Sequence, residues 1–393
     1  MSLRSLQANF LRSLLAILGI IIGVGTVIGA VGAIEGATRE LKDSMRRVGS
    51  NVLWIQPGGR TVGGRFVGQV AVLEEEDVEE IKANPLVLAA APEIRVGEQV
   101  KFGADNRVSM VVGTTPEFFE VFGYRAAEGQ IFRRDAVIGS YRVATVGSEL
   151  AKELFGDRDP VGETIRVGKQ AFEVVAVMEE KGMVGFFNYD DQVYIPVSRA
   201  RRMYQPRSLT TISVRSVGEK ELDDVKGAVA GVLRRKHGLQ VGEPDDFTIT
   251  TPTEMFETFS RIFKIWQGVF FSISGISLVV AGFGIMNIML VSVTERTREI
   301  GVRMAVGAFR MDILVQFLSE SSMICIVGCP LGIGCGWLIN RIVEKKLAPL
   351  EPVMAPKVIA LAVGVAIATG IISGLYPAWR ASRLDPVEAL RYE

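Results

Sequence analysis

The side chains that could do chemistry in this chain are few and scattered. The one histidine, His237, follows Arg234-Arg235-Lys236 and reads as a surface residue. The three cysteines, Cys325, Cys329 and Cys335, fall inside a single apolar run. Cys325 and Cys329 share a helix face, but a metal site needs more ligands than the run offers, so they read as small packing residues. Glu74, Glu75, Glu76, Asp77, Glu79 and Glu80 cluster in sequence, and at helical spacing they read as a solvated face, not an acid–base pair. No Gly-x-x-x-x-Gly-Lys-Ser/Thr, His-Glu-x-x-His or Gly-x-Ser-x-Gly occurs. The residues therefore give no catalytic constellation, no metal site, no cofactor-binding motif and no P-loop to cradle ATP. Lys and Arg balance Asp and Glu, 44 against 44, and no basic stripe with interleaved aromatics appears, which argues against a nucleic-acid role.

The densest functional signal is electrostatic. Residues 294–308 read Thr-Glu-Arg-Thr-Arg-Glu-Ile-Gly-Val-Arg-Met-Ala-Val-Gly-Ala. Glu299 and Arg303 are four apart in the favourable order, and Glu295 and Arg298 are three apart, so both pairs can close on a helix. Ile300 and Met304 share a face that can lie on lipid or on protein. Gly301 and Gly307 permit bends. An uncharged run precedes the segment and another follows it, so it belongs at a membrane surface. One reading makes it a loop whose arginines fix topology. The other makes it a docking helix for a motor protein.

Four runs position this segment: 13–34, 265–294, 321–340 and 358–379. Each reaches the roughly 20 apolar residues that cross about 30 Å of hydrocarbon. The first is longer than a signal-peptide core and reads as a retained anchor. Before it, residues 1–12 suit an interfacial helix. Gly25, Gly29, Gly32 and Gly36 form a stripe at steps of four, three and four, which lets another helix approach closely. Ile34, Ala37, Leu41, Met45 and Val48 continue an apolar seam, so the helix is expected to run about 20 Å beyond the membrane before Gly49 breaks it. The second span has a matching extension. Thr251-Pro252-Thr253-Glu254 is a helix start with a capping box, and Phe256, Phe259, Phe263, Trp266 and Phe270 follow at steps of three and four. Two extended helices are thus expected to form a stalk. Between them, 49–250 reads as a mixed α/β domain long enough for its own core. Gly328, Gly332 and Gly336, with Pro330 among them, mark a packing face in the third span, and Gly370 and Gly374 mark one in the fourth. The expected order is therefore a stalk and span at 251–294, a charged segment at 295–310, a third span at 311–340, an outer loop at 341–357, a fourth span at 358–379 and a tail at 380–393.

Several of these stretches resemble the MacB/FtsX superfamily of ABC transporter permeases. The resemblance lies in Asn9-Phe-Leu-Arg-Ser-Leu-Leu-Ala-Ile-Leu-Gly, in the 295–308 segment and in Gly374-Leu-Tyr-Pro-Ala-Trp-Arg-Ala-Ser-Arg-Leu-Asp-Pro-Val-Glu-Ala-Leu-Arg-Tyr. Leu154-Phe-Gly-Asp-Arg-Asp-Pro-Val-Gly-Glu-Thr-Ile and Tyr194-Ile-Pro-Val add to it within the large domain. It implies an α-helical membrane protein of four transmembrane helices with a large extracytoplasmic α/β (α+β) domain inserted between the first and second. Within that domain it implies a Porter-like lobe interrupted by a Sabre-like lobe at about 105–205.

Charge alone does not orient the chain, because arginines and lysines flank the spans on both sides. It is the resemblance that places the domain outside the cytoplasm of a bacterial inner membrane. It also assigns Glu295, Arg296, Arg298, Glu299 and Arg303 to contact with a cytoplasmic ABC ATPase, which would bind the ATP and Mg that this chain does not. Because the chain starts almost at the first span, the ATPase is expected on a separate polypeptide. A second permease copy, homo- or heteromeric, is an expected partner, and Gly25, Gly29, Gly32, Gly36, Phe256, Phe259 and Phe263 are the expected helix-packing or dimer residues. A periplasmic adaptor is a further candidate partner. The implied function is mechanical: motion of the motor is passed through the stalk to drive efflux. Lipoprotein extraction and FtsX-like signalling share the architecture. A receptor that needs no motor is the alternative of another class.

Overall fold

The computed structural model describes residues 10–58, 60–62, 65–67, 72–184, 187–346 and 352–390. It divides into two compact units, one comprising Met1–Glu40 and Phe259–Glu393, the other Leu41–Thr258.

The first unit is helical. Phe10–Val48, Pro252–Glu295, Arg310–Lys346 and Pro356–Ser382 are the long helices of the chain, and each is long and apolar enough to cross a membrane. Their packing follows from missing Cβ atoms. A Cβ on Gly328 would lie 2.9 Å from Ile20, one on Gly332 2.8 Å from Val24, and one on Gly336 2.9 Å from Ile28. Ile20, Val24 and Ile28 recur every fourth residue, so one row of branched side chains fits one row of notches. Gly19 and Gly23 do the same toward Ala281 and Leu278 of the second helix, where Ser274 Oγ also donates to Gly23 O at 2.7 Å. Gly370 and Gly374 admit Cys325 and Ser321. Cys325 and Cys329 are buried, in keeping with packing roles. Pro330 lies inside a helix that continues on both sides of it.

One expected boundary moves. The third helix runs to Lys346, into the expected outer loop, and 347–351 lie outside the described residues. The interfacial helix expected at 1–12 also lies largely outside them, the described chain starting as helix at Phe10.

The second unit is a mixed α/β domain, as its composition suggested. Its axis is the strand Val87–Phe102, which pairs with different partners along its length. Its first part pairs antiparallel with Thr211–Ser216, from Val87↔Ser216 to Glu93↔Thr211. Val52–Pro57 lies beyond that strand, and Phe247–Thr250 beyond it again. From Ile94 to Phe102 the long strand forms a hairpin with Asp105–Thr114. Gln192–Pro196, Val143–Val146, Gln170–Met178 and Ala126–Gly129 extend the sheet from there. Asp105, where the inserted lobe was expected to begin, follows the turn of this hairpin.

Helices Glu75–Lys82 and Leu222–Lys236 add Val78, Ile81, Val225, Val229 and Leu233 to one core. A second core is aromatic, with Phe118, Phe119, Phe122, Tyr124, Phe132, Tyr189 and Tyr194 packed ring on ring.

Two sequence readings are corrected here. His237 is not a surface residue: its side chain is 11% exposed, and Nδ1 lies 2.9 Å from Asp246 Oδ1. It ties the end of one helix to the start of the last strand. Nor is Asp77 on a solvated face. It is buried, accepts from the Glu74 N–H at 2.6 Å and pairs with Lys236 Nζ at 2.7 Å. The acidic run is solvated around one structural carboxylate, because the helix needs a cap.

Candidate functional site

The charged segment folds as a short helix, Thr297–Ala305. The second long helix ends at Glu295, and Arg296 leaves helical geometry with φ −106° and ψ 14°. Thr297 secures the restart, its hydroxyl donating to Val293 O at 3.0 Å and to Thr294 O at 2.9 Å. At the far end Gly307 adopts φ +108°, a conformation that side-chain-bearing residues rarely take. Ala308 N then donates back to Arg303 O at 3.0 Å. The helix is therefore delimited by a break before it and a glycine turn after it.

Its inner face is apolar. Ile300 is 2% exposed, and Gly301 rests on the short helix Pro386–Leu390, where a Cβ would meet Ala389 Cβ at 2.7 Å. Asp385 caps that helix through the Val387 N–H at 2.8 Å.

The five charged residues divide into two groups. Arg296 reaches Glu320 of the third long helix at 3.3 Å. Arg303 donates to Gln316 of the same helix at 2.7 Å and to Glu299 at 2.6 Å. These two arginines hold the segment to its own chain. Glu295, Arg298 and Glu299 face outward. Among the described residues no ion pair joins Glu295 to Arg298, because the break at Arg296 destroys the same-face relation that their spacing gives on a continuous helix.

The outward face also carries apolar residues that charge patterning did not single out. Val302 is 46% exposed, Val306 84%, Phe309 77% and Met311 66%. Their alternation with Arg298, Arg303 and Arg310 was visible in sequence. What was not visible is which side of the helix the rest of the chain covers. Such a surface, apolar with a charged rim and held rigidly from behind, suits protein docking.

The expected packing residues fall in two places. Gly25, Gly29 and Gly32 lie against the third long helix of the same chain. A Cβ on them would meet Gly332 O at 3.2 Å, Ile339 Cγ2 at 3.1 Å and Asn340 Nδ2 at 2.6 Å. Gly36 is buried. Phe256, Phe259 and Phe263 are half-buried, with the rings of Phe259 and Phe263 6.4 Å apart. The helix that carries them starts as its sequence promised. Glu254 N donates to Thr251 Oγ1 at 3.2 Å, and Thr251 N donates to Glu254 Oε2 at 3.0 Å.

With this geometry in hand, the comparisons with known proteins are specific. Residues 13–232 match the family model of the MacB-like periplasmic core domain, and residues 271–386 match that of the FtsX-like permease C-terminal region. The chain is 36% identical over 453 residues to the macrolide export ATP-binding/permease protein MacB of Syntrophobacter fumaroxidans, with 100% of this chain and 63% of that protein covered. Against the protein of the same name from Marinobacter nauticus it is 35% identical over 395 residues, covering 100% of this chain and 60% of that one. The chain therefore spans about 60% of the length of these relatives. Among solved structures, the periplasmic region of MacB from Actinobacillus actinomycetemcomitans aligns with 56% of this chain and 98% of its own length, at 19% identity and a TM-score of 0.47.

Proposed function

The chain belongs to the family of ABC transporter permeases that combine a MacB-like periplasmic core domain with an FtsX-like C-terminal region, and on that premise we propose that it is the force-transmitting permease of an exporter. A cytoplasmic ATPase docks on the outward face of Thr297–Ala305, binds ATP and Mg, and moves that segment as it closes and opens. The permease acts as a dimer in the bacterial inner membrane, and its large domain works on the extracytoplasmic side. Motion passes along the two helices that carry both a span and part of the large domain, so cargo is driven out by the domain, not through a channel among four helices. The curated relatives carry the name of macrolide exporters, which makes macrolides the first cargo to assay.

The observation that supports this reading best is the split of the charged residues. Arg296 and Arg303 fix the segment to Glu320 and Gln316, while Arg298, Glu299, Val302 and Val306 are left facing outward. A loop that only set topology would need the arginines but not a rigid mounting with an apolar outer face. A photo-cross-linking residue at Val306, introduced into cells that make the native transporter, tests it. The expected adduct contains a P-loop ATPase sequence and disappears when Arg298 is replaced by Glu. An adduct with lipid alone would refute docking at this face.

A further inference from the structure

A cavity of about 200 Å³ opens on the large domain, lined by residues of the helix Glu75–Lys82 and of two shorter helices, Glu117–Val121 and Arg134–Gly139. Val78, Pro92, Val137 and Ile138 give it an apolar lining. Val78 is 1% exposed and belongs to the main core of the domain, so that part of the lining is fixed. The Val137 part is pinned as well. Ser198 donates to Val137 O, and Ser140 Oγ donates to Ser198 Oγ at 3.2 Å. Ile138, by contrast, is 81% exposed at the rim.

Five charged side chains line the same cavity. Glu75 is taken up by Arg201 at 3.0 Å. The other four close a ring of alternating sign. Lys82 Nζ lies 3.3 Å from Glu79 and 3.8 Å from Glu117. Arg134 Nη2 lies 3.8 Å from Glu79, and Nη1 lies 3.8 Å from Glu117. Contacts of 3.8 Å attract but are too long for hydrogen bonds. Among the described residues Arg134 makes only these two, which leaves its five donors available. Burial works against the charge on Glu117, but hydrogen bonds from Thr115 and from its own N–H, together with Lys82 and Arg134, hold its carboxyl below the usual range. The ring is therefore ionised and balanced. Its exposed members, Glu79 and Arg134, pair weakly across water and can yield to a ligand.

We propose that this cavity binds a free apolar α-amino acid as its zwitterion, with the carboxylate on Arg134 and Lys82, the ammonium on Glu79 and Glu117, and the side chain against Val137 and Ile138. Charge sets the class. Two cations and two carboxylates already sum to zero, and a ligand carrying one group of each sign keeps that sum while adding charge-assisted hydrogen bonds to both kinds. An anion alone would meet two carboxylates, and a cation alone two cations. Size sets the second limit. Pockets for drug-sized ligands run to about 300–1,000 Å³, so this smaller cavity suits a single amino acid and not a macrolide. A bound apolar side chain would also cover Ile138. The site lies wholly within the unit Leu41–Thr258 and needs no motor, so binding is expected whether or not the chain exports.

The probe is L-leucine, followed by saturation-transfer NMR of its methyl groups on the full chain in phosphatidylcholine nanodiscs, with empty nanodiscs subtracted. Isocaproate, which is leucine without the ammonium, and isoamylamine, which is leucine without the carboxylate, are the comparators. Saturable transfer to leucine is expected, with each comparator bound about tenfold more weakly. Arg134→Glu removes a partner of the carboxylate and adds a third anion to the ring, so it should reverse the preference in favour of the amine. Ile138→Ser should weaken leucine several-fold by taking away apolar contact. Both side chains are exposed, so neither change should disturb the fold. No saturable transfer beyond the empty discs, either comparator equal to leucine on the wild type, or leucine still preferred in Arg134→Glu would each overturn the proposal.

Discussion

At the scale of single residues, the most exacting position in the large domain is Lys181. Its ammonium is buried against the Tyr124 ring, 4.9 Å from the centroid, and donates to Phe122 O. Burial, reinforced by repulsion from Arg215 and only partly offset by Asp190, pulls its pKa down to about 8. Unfolded, the same group titrates near 10.5. Between these values the unfolded chain binds the extra proton, so stability must rise with pH from about 8 to 10.5 and be lowest below 8. Denaturant titrations at pH 7 and pH 10 should show a gain of roughly 1–3 kcal/mol for the domain. The gain should vanish in Lys181→Met, and a gain that persists in the variant would locate its source elsewhere.

Residues of this kind were not legible in the sequence. Phe122 and Tyr124, against which Lys181 is buried, come from a segment about sixty residues away, and Asp77 finds Lys236 across a still longer separation. By contrast, the capping box of Thr251 and Glu254 was legible because both partners lie within one turn. The inward pair Glu93 and Arg95, two apart on a strand, gave no signal, since alternation alone cannot tell a buried charged face from a wet one.

At the scale of elements, the four long helices were legible from uncharged length, whereas glycine spacing marked packing faces without saying what fills them: Gly25, Gly29 and Gly32, expected as helix-packing or dimer residues, lie against the third long helix of the same chain. Gly332 makes the sharpest test: its missing Cβ would meet Val24 Cβ at 2.8 Å and Ile21 O at 3.4 Å. Gly332→Val should overpack this crossing and cost about 1–3 kcal/mol, seen as a lower midpoint of thermal unfolding in detergent. Gly334→Val on the same helix, with nothing within 4 Å of its missing Cβ, is the matched control and should cost little. Equal losses in both would mean that the glycine row does not set the helix approach.

The strand Val87–Phe102 escaped the sequence reading for a physical reason. Val87 to Ile94 is buried almost throughout, so it lacks the alternation of a half-exposed strand, and Pro92 argues against a central position. The turn at Gly307 follows the opposite logic, being local and cheap to test. Gly307→Ala forces φ +108° on a side-chain-bearing residue and should cost about 1–2 kcal/mol. Under the proposed function, ATP hydrolysis should then lose its stimulation by cargo while the large domain keeps its unfolding midpoint. Full stimulation in that variant would remove the segment from the coupling path.

At the scale of the whole molecule, the proposed mechanism rests on stiffness. Phe10–Val48 and Pro252–Glu295 are single unbroken helices, and each contributes residues to both compact units. A helix transmits force only while its hydrogen-bond ladder resists bending, so a mid-helix weakness should matter even where no contact is lost. Lys264 and Ile265 suit such a test, because both are exposed and belong to no core cluster of the described residues. Replacing both with glycine keeps the register and costs about 1 kcal/mol of helix propensity per site. Replacing both with alanine removes the same side chains without adding flexibility, which separates the two effects. The expected result in reconstituted vesicles is that the alanine pair exports as well as wild type. The glycine pair should hydrolyse ATP at the wild-type rate and export several-fold less. If the glycine pair exports normally, force does not travel along this helix, and the large domain must be driven by another route. If both pairs fail alike, the exposed side chains themselves matter, which would point to a protein neighbour on that face.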